Sequence, residues 1–266
     1  MQTRPIGILD SGLGGLSVLR EIQALLPGES LHYVGDSAWC PYGPKPVAQI
    51  RERVFAITDH LLSLGAKLIV VACNSATIAA VESLRAAYPI PFTGMEPAVK
   101  PAAALTRSGV VGVLATEASL AGEKYLRLVN SHAASLRLIT RPCPEFVELV
   151  EAGILDGPEA EAAVACHLAP LLHEGADVVV LGCTHYPFLR PVMERFVGPD
   201  VAVIDTGAAV ARQVRRRLEQ DGLLAPEGNR PALRITTTGP LKVLEGAFPI
   251  LCPGLAAELG RARGLD

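Results

Sequence analysis

The feature that most constrains this chain is the regular alternation of short apolar runs with stretches of helical periodicity. The apolar runs are rich in Val, Ile and Leu, and they cover residues 5–10, 31–36, 67–72, 109–115, 135–140, 177–182 and 201–205. Strands that are apolar along their whole length, separated by helices of about 10 to 19 residues, are typical of parallel sheets covered on both faces. The sequence therefore predicts an α/β protein.

The composition and the charge exclude several functional classes. The 266 residues carry a net charge of −3 with the charges spread along the chain, so we expect no surface for nucleic acid. No run approaches the ~20 apolar residues of a membrane span, and the N-terminal residues lack the apolar segment of a signal peptide. The six cysteines include no C-x-x-C pair, which fits neither a disulfide framework nor a zinc site. We expect a cytoplasmic protein with reduced thiols that binds neither nucleic acid nor membranes.

Polar and ionisable residues recur where the apolar runs end. Ligands of parallel α/β sheets bind at the carboxyl ends of the strands, so these residues are the first candidates for chemistry. They are Asp10, Ser11, Asp36, Tyr42, Cys73, Asn74, Thr77, Thr116, Ser119, Cys183, Thr184 and His185.

Two of these strand ends share one layout around a cysteine. Cys73 in "KLIVVACNSAT" and Cys183 in "DVVVLGCTHYP" each follow an apolar run and a small residue and precede a small polar residue. The match suggests a duplicated α/β unit with the thiols related by pseudo-symmetry. Core packing is the ordinary role of one such cysteine. Two opposed thiols, one ionised and one protonated, can instead remove a proton from one face of a carbon and return one to the other. This pair favours racemisation of an amino acid at its α-carbon.

Motifs for three kinds of cofactor are absent or incomplete. The "SGLGG" segment has Ser17 where a dinucleotide-binding G-x-G-x-x-G needs glycine, and G-x-x-x-x-G-K-[ST] does not occur. Cys183 and His185 have no second ligand pair at a matching spacing. No lysine lies in a segment suited to holding pyridoxal phosphate. We therefore expect no metal and no cofactor.

Five segments, in order along almost the whole chain, resemble successive signatures of the bacterial glutamate racemase family in the aspartate/glutamate racemase superfamily. They are "GILDSGLGGLSVLREI", "YVGDSAWCPYGPK", "VVACNSATIAA", "GVLATEAS" and "LGCTHYPFL". The resemblance implies two pseudo-symmetric domains, each a mainly parallel sheet flanked by helices, with the active site in the interdomain cleft. It also implies cofactor-independent, two-thiol racemisation that supplies D-glutamate for peptidoglycan.

The resemblance further implies roles for individual residues. Cys73 is expected to take the proton from D-glutamate and Cys183 from L-glutamate, while Asp10, His185 and Glu151 assist them. The implied substrate-binding residues are Asp10, Ser11, Asp36, Tyr42, Gly43, Cys73, Asn74, Thr77, Thr116, Cys183, Thr184 and His185.

Ordinary structural alternatives stay open for three of the assisting residues. Asp10 fits the N-cap of the next helix, His185 could bond to a neighbouring carbonyl, and Glu151 reads as a carboxylate on a helix surface. Trp39 also departs from the family pattern, which has Arg or Asn at that place in the loop.

The pseudo-symmetry predicts a first domain of residues 1–96 with 207–266, and a second domain of residues 97–206. The expected crossovers are "GMEPAVKP" and "VIDTGAAV". Glutamate is the expected substrate. Two alternatives are a racemase of aspartate or a related acid, and a non-catalytic amino-acid-binding protein on the same scaffold, against which the presence of both thiols argues. The sequence sets no oligomeric state, and a homodimer is one option.

Overall fold

The computed structural model describes residues 2–116, 119 and 136–265, and the chain divides into two compact units. Unit 1 is Met1–Met95 with Gly207–Asp266, and unit 2 is Glu96–Thr206. The strands, in chain order, are β1 (Ile6–Asp10), β2 (Leu31–Gly35), β3 (Leu68–Val71), β4 (Phe92–Gly94), β5 (Val110–Ala115), β6 (Arg137–Pro142), β7 (Val178–Gly182), β8 (Ala202–Ile204), β9 (Leu233–Thr237) and β10 (Glu258–Arg261).

The described α-helices lie between these strands. They are α1 (Leu16–Leu25), α2 (Val47–Ser63), α3 (Asn74–Ala87), α4 (Val99–Leu105), α5 (Pro144–Glu151), α6 (Pro158–His173), α7 (Arg190–Val197), α8 (Gly207–Gln220) and α9 (Leu241–Leu251). Short 3₁₀ turns follow β2 at Ser37–Trp39 and β7 at Tyr186–Leu189.

Each unit contains its own parallel sheet. The strand order is β10-β9-β2-β1-β3-β4 in unit 1 and β6-β5-β7-β8 in unit 2. All pairings between the described strands are parallel. The predicted α/β class, with two parallel sheets flanked by helices, is confirmed.

The two sheets share a topology. The order β2-β1-β3-β4 in unit 1 recurs as β6-β5-β7-β8 in unit 2, with matching positions along the chain. Strands β3 and β7, which precede Cys73 and Cys183, therefore occupy equivalent places. This correspondence supports the duplication that the two cysteine segments suggest.

Burial explains which strands the sequence reveals. Every residue of β1, β2, β3 and β7 is buried, so these strands read as nearly continuous apolar runs, broken by His32 in β2 and ended by Asp10 in β1. Strand β6 is mostly exposed or half-buried and lies at a sheet edge, beginning two residues after the predicted run. The helix predicted between the runs at 109–115 and 135–140 falls outside the described residues.

Apolar side chains form a core in each unit. In unit 1, residues of α2 and α3 pack against β1 and β3 and also enclose Ala262 and Leu265 near the C-terminus. In unit 2, α4 packs on β5 and β7. Of the helices in the described ranges, none is both long enough and apolar enough to cross a membrane.

The strand order also marks where a ligand would bind in each unit. From β1 the chain goes to β2 on one side of the sheet and then returns to β3 on the other, so the connections diverge between β1 and β3. In unit 2 they diverge in the same way between β5 and β7. Ligands of open α/β sheets bind at the carboxyl edge of such a switch point. Asp10 and Cys73 lie there in unit 1, and Thr116 and Cys183 in unit 2.

Candidate active site

In unit 1, Cys73 lies at the turn from β3 into α3, as the sequence predicts. It is the N-cap residue of α3, and its Sγ accepts a hydrogen bond from the backbone N–H of Ala76 at 3.4 Å. The thiol also points at the hydroxyl of Ser11, with Sγ and Oγ 3.7 Å apart. Backbone donors at a helix N-terminus are a setting that stabilises a thiolate. Cys73 is thus a buried thiol whose sulfur accepts from a helix N-terminal N–H and faces the Ser11 hydroxyl.

The carboxylate of Asp10 organises the turn that follows β1. Its Oδ2 accepts from the backbone N–H of Gly12 at 3.1 Å and of Gly15 at 3.0 Å, and the Tyr33 hydroxyl lies 3.5 Å away. A Cβ at Gly15 would come within 2.7 Å of the Asp10 Cβ, so this close approach requires glycine. Gly15 is the N-cap residue of α1. Asp10 therefore helps to cap α1 although Gly15, and not Asp10, is the N-cap residue. This role is additional to any part that Asp10 has in the chemistry.

Thr77 joins α3 to the neighbouring strands. Its hydroxyl donates to the carbonyl of Val71 and accepts from the backbone N–H of Met95, each at 3.0 Å. Gly94 lets β4 approach this side chain, because a Cβ there would lie 2.7 Å from the Thr77 methyl. Thr77 thus fixes the helix start that carries Cys73 and the buried Asn74.

Tyr42 turns its ring inward, towards Asp36. Its hydroxyl donates to Oδ2 of Asp36 at 2.6 Å, and both side chains are buried. Burial, the charge and hydrogen bond of Asp36, and the nearby Cys73 together raise the pKa of Tyr42 well above its ordinary value. The hydroxyl therefore stays protonated at neutral pH and acts as a donor. Gly43, which follows, is half-buried.

In unit 2, the thiol of Cys183 is paired with an imidazole. Nδ1 of His185 lies 3.7 Å from the Cys183 Sγ, and its Nε2 lies 2.7 Å from Oε1 of Glu151. Because a carboxylate only accepts, we assign a proton to Nε2, which leaves the Nδ1 lone pair facing the sulfur. Cys183, His185 and Glu151 therefore form a relay, in which the carboxylate orients the imidazole and the imidazole moves a proton to or from the thiol.

The two thiols differ in their surroundings. Cys73 begins an α-helix, whereas Cys183 is followed by the 3₁₀ turn Tyr186–Leu189 before α7 begins. Cys73 therefore stands directly at a helix start, while Cys183 has a histidine beside its sulfur. Glu151 belongs to this arrangement and is not merely a carboxylate on a helix surface, since its side chain is only 21% exposed.

Thr116 and Thr184 lie at the same edge of the unit 2 sheet. Thr116 follows β5, and its hydroxyl donates to that of Ser119 at 2.9 Å. Thr184, which follows Cys183 and precedes His185 in the sequence, is buried. Both positions are compatible with the substrate-binding role that the family resemblance implies for them.

Two other buried thiols are held in their protonated form. Burial, and then the charge of Glu145, raise the pKa of Cys143 well above that of a free thiol. Burial raises the pKa of Cys252 to about 12. Neither thiol supplies a thiolate at neutral pH, so both serve as packing residues.

Sequence reasoning missed three residues that hold the unit 1 site together. They are Tyr33, which contacts Asp10, and Arg53 and Thr238, which both bind Asp36. No signal in the sequence marks them, because each acts through a contact with a residue far along the chain.

Comparison with known proteins decides the family. Residues 6–214 match the family model of Asp/Glu/Hydantoin racemases. The chain belongs to this racemase family. It is 53% identical over 248 residues to a glutamate racemase of Ectopseudomonas mendocina, which covers 93% of this chain and 94% of that protein.

Solved structures of other racemases agree with the fold. A glutamate racemase from Escherichia coli, in complex with L-glutamate and the activator UDP-MurNAc-Ala, matches with a TM-score of 0.86 at 34% identity. The match covers 97% of this chain and 98% of that one. A glutamate racemase from Francisella tularensis in complex with D-glutamate matches with a TM-score of 0.84 at 28% identity, over 100% and 99% of the chains. The chain is therefore a racemase with the two-unit α/β architecture of these enzymes.

Proposed function

We propose that this racemase interconverts L-glutamate and D-glutamate without a cofactor, with Cys73 and Cys183 as its two bases. The observation that carries the proposal is the presence of a buried thiol at the same place in each sheet, one with a helix N-terminal N–H donor and one with the His185–Glu151 relay. Relatives at similar coverage bind L-glutamate in one structure and D-glutamate in another, as expected of an enzyme that handles both enantiomers.

The proton balance needs one thiolate and one thiol. For L-glutamate, the Cys183 thiolate takes the α-proton, and the Cys73 thiol gives its proton to the opposite face of the resulting carbanion. The cycle leaves Cys183 protonated and Cys73 ionised, which is the state that attacks D-glutamate. The proposal therefore requires the two thiols to reach opposite faces of one bound glutamate, and the enzyme alternates between two protonation states.

The substrate carboxylates would be held by hydroxyls and backbone N–H groups at the strand ends. Helix N-termini bind carboxylates because their free N–H groups and the helix dipole both favour an anion. In unit 1 we assign this role to Ser11, Asn74 and the backbone of Tyr42 and Gly43. In unit 2 we assign it to Thr116 and Thr184.

The relay in unit 2 predicts a defined defect for Glu151→Gln. The amide keeps the shape but loses the charge that stabilises the His185 imidazolium, so we expect turnover of L-glutamate to fall by on the order of tenfold to a hundredfold, less than the effect of removing a direct proton acceptor. The matched control is Glu148→Gln on the exposed face of the same helix, which should retain wild-type kinetics. Equal kinetics for the two variants would remove Glu151 from the proposed relay.

Glutamate and aspartate separate the proposed function from its nearest alternative. Purified protein, treated with a chelator and dialysed, is incubated with each enantiomer of both amino acids while optical rotation is followed. We expect the rotation of both glutamate solutions to decay to zero and that of both aspartate solutions to change far more slowly. Faster turnover of aspartate would favour the alternative substrate, and binding of glutamate without decay would favour a non-catalytic binder.

Heavy water tests the two-base mechanism. L-glutamate is incubated in D₂O, and the enantiomers are separated early. We expect the D-glutamate to carry deuterium at Cα, because its proton comes from a thiol that has equilibrated with solvent, while the remaining L-glutamate keeps its protium. Early protium in the product, or deuterium in the recovered substrate, would point to one base that takes and returns the same proton.

The cellular setting is part of the same proposal. We propose the supply of D-glutamate for peptidoglycan as the role, and the cytoplasm as the compartment, because both working thiols must stay reduced. The six cysteines are all free in the structure. A homodimer is the assembly to be tested by light scattering.

A further inference from the structure

Arg53 makes a two-pronged contact with Asp36 beneath the loop that carries Tyr42. Its Nε donates to Oδ2 at 3.0 Å, and its Nη2 donates to Oδ1 at 2.7 Å. The Arg53 side chain is 11% exposed and that of Asp36 is fully buried. This fork geometry is specific to arginine, since a lysine ammonium cannot meet both oxygens in the same plane.

Donors from the protein occupy the hydrogen-bond acceptor sites of the Asp36 carboxylate. Besides the two bonds from Arg53, it accepts from the Tyr42 hydroxyl at 2.6 Å and from the Thr238 hydroxyl at 2.8 Å. An ionised carboxylate offers about four acceptor sites, so these four donors use its capacity. Asp36, for which the family resemblance implies a substrate-binding role, is therefore better suited to orient Tyr42 than to bind substrate.

Arg53 also ties the loop to two further segments. Its Nη2 donates to the carbonyl of Leu265 at 2.9 Å, which brings residues near the C-terminus against α2. Its guanidinium carbon lies 4.9 Å from the ring centroid of Trp39 in the loop itself. Trp39, which departs from the family pattern, thus contributes a cation–π contact to the same guanidinium.

The geometry points to Arg53 as a positioning residue for glutamate: through Asp36 it fixes the Tyr42 loop beside Cys73, and so sets the affinity of the site. This inference rests on the proposed function, because the loop backbone at Tyr42 and Gly43 is assigned to a substrate carboxylate. Arg53 does not touch the reacting atoms. It holds the loop in the binding conformation before the substrate arrives.

A residue with this role should change KM more than kcat. The loop contacts the substrate carboxylate in the ground state and in the transition state alike, and loss of such uniform binding raises KM while kcat changes little. For Arg53→Met we expect KM for glutamate to rise by about tenfold to a hundredfold, the range for one hydrogen bond to a charged group. Arg53→Lys, which keeps the charge and loses the fork, should give an intermediate KM.

Arg51→Met is the matched control. Arg51 lies on the same helix and also anchors α2, with its Nε donating to the carbonyl of Ala79 at 3.1 Å, but it has no bond to Asp36. KM should stay at the wild-type value in this variant. A rise in KM equal to that of Arg53→Met would assign the effect to loosening of α2 rather than to the loop.

Tyr42→Phe tests the route of the effect. This substitution removes the hydroxyl bonded to Asp36 and keeps the loop backbone. If Arg53 acts through Asp36 and Tyr42, Arg53→Met should raise KM much less in the Tyr42→Phe background than in the wild type, because the link is already broken. If the effects of Arg53→Met and Tyr42→Phe on the free energy that corresponds to KM were fully additive, the proposed route would be overturned.

Trp39 supplies a measurement that needs no turnover. It is the single tryptophan of the chain, and Arg53 lies over its ring. Acrylamide quenching of its fluorescence should increase in Arg53→Met and, to a lesser degree, in Arg53→Lys, and remain unchanged in Arg51→Met. If Arg53→Met does not fold, the Lys variant carries the test.

The outcomes separate this inference from the proposed function. A wild-type protein that fails to racemise glutamate overturns the proposed function, whatever the quenching shows. A wild-type racemase whose Arg53 variants keep both their KM and their Trp39 quenching overturns the positioning role of Arg53 and leaves the racemase intact.

Discussion

Replacing either Cys73 or Cys183 by alanine is expected to lower racemisation of glutamate by at least about a thousandfold, starting from either enantiomer. A single remaining thiol can remove an α-proton from one face, but the other face then has no donor to complete the inversion. The two enantiomers have equal free energies, so kcat/KM must be the same in both directions for any variant. The loss must therefore appear with L-glutamate and with D-glutamate, and polarimetry from each enantiomer measures it.

Matched cysteines separate this loss from a general effect of removing a thiol. Cys252→Ala deletes a buried thiol in unit 1, and Cys166→Ala deletes an exposed one in unit 2. Both should leave turnover near that of the wild type. The small buried change at Cys73 or Cys183 should lower the free energy of unfolding by roughly 1 to 3 kcal/mol, which leaves the protein folded. A catalytic variant with a native circular dichroism spectrum that kept a few per cent of wild-type turnover would contradict the assignment.

The parts of the fold that could be predicted are those with a buried, local signal. Strands β1, β3 and β7 are buried on both faces, so their sequences are apolar apart from Asp10 at the end of β1. Strand β9 reads Leu-Arg-Ile-Thr-Thr and β10 reads Glu-Leu-Gly-Arg. Both strands are only partly buried, so neither forms an apolar run. Strand β9 pairs with β2 across some 200 residues, which no local pattern contains, and β10 joins the sheet through β9.

The candidate site divides in the same way. Cys73 and Cys183 could be found because each thiol ends an apolar run, and His185 follows Cys183 two positions later. Glu151 came only from family resemblance, since it lies 34 residues from the imidazole that it binds. Arg53 reads as one more charged residue of an amphipathic helix, and its partner Asp36 reads as a substrate-binding residue at a strand end. Their role requires knowledge of which segments meet in space.

A second buried charge pair lies at the opposite edge of the unit 1 sheet. Lys67 precedes β3 and Glu29 precedes β2, and their Nζ and Oε2 atoms are 2.5 Å apart with side chains 0% and 3% exposed. Oε2 of Glu29 takes part in this ion pair, but the contact does not have the angle of a hydrogen bond. The Lys67 ammonium also donates to the carbonyl of Gln2, and Oε1 of Glu29 accepts from the backbone N–H of Ala225 at 2.7 Å. The pair thus joins the N-terminal segment to the loop before β9.

Lys67→Met is expected to lower the free energy of unfolding by about 3 to 5 kcal/mol, because it leaves the Glu29 carboxylate buried without its counter-charge. That loss is a large fraction of the 5 to 15 kcal/mol that is typical of folded proteins. Urea denaturation followed by circular dichroism measures it. Below the unfolding transition KM for glutamate should be unchanged, because the pair lies at the amino ends of the strands, away from the site.

The cause of that loss can be separated from lost packing. Adding Glu29→Leu to Lys67→Met removes the stranded charge, so the double variant should recover much of the stability, since apolar replacement of a buried ion pair is often close to neutral. The recovery should be incomplete, because the carbonyl of Gln2 and the N–H of Ala225 lose their partners. On the surface, Arg215→Met breaks an exposed pair with Glu219 and should change stability by less than about 0.5 kcal/mol. A double variant no more stable than Lys67→Met would show that the side-chain packing of Lys67, rather than the unpaired Glu29 charge, determines the loss.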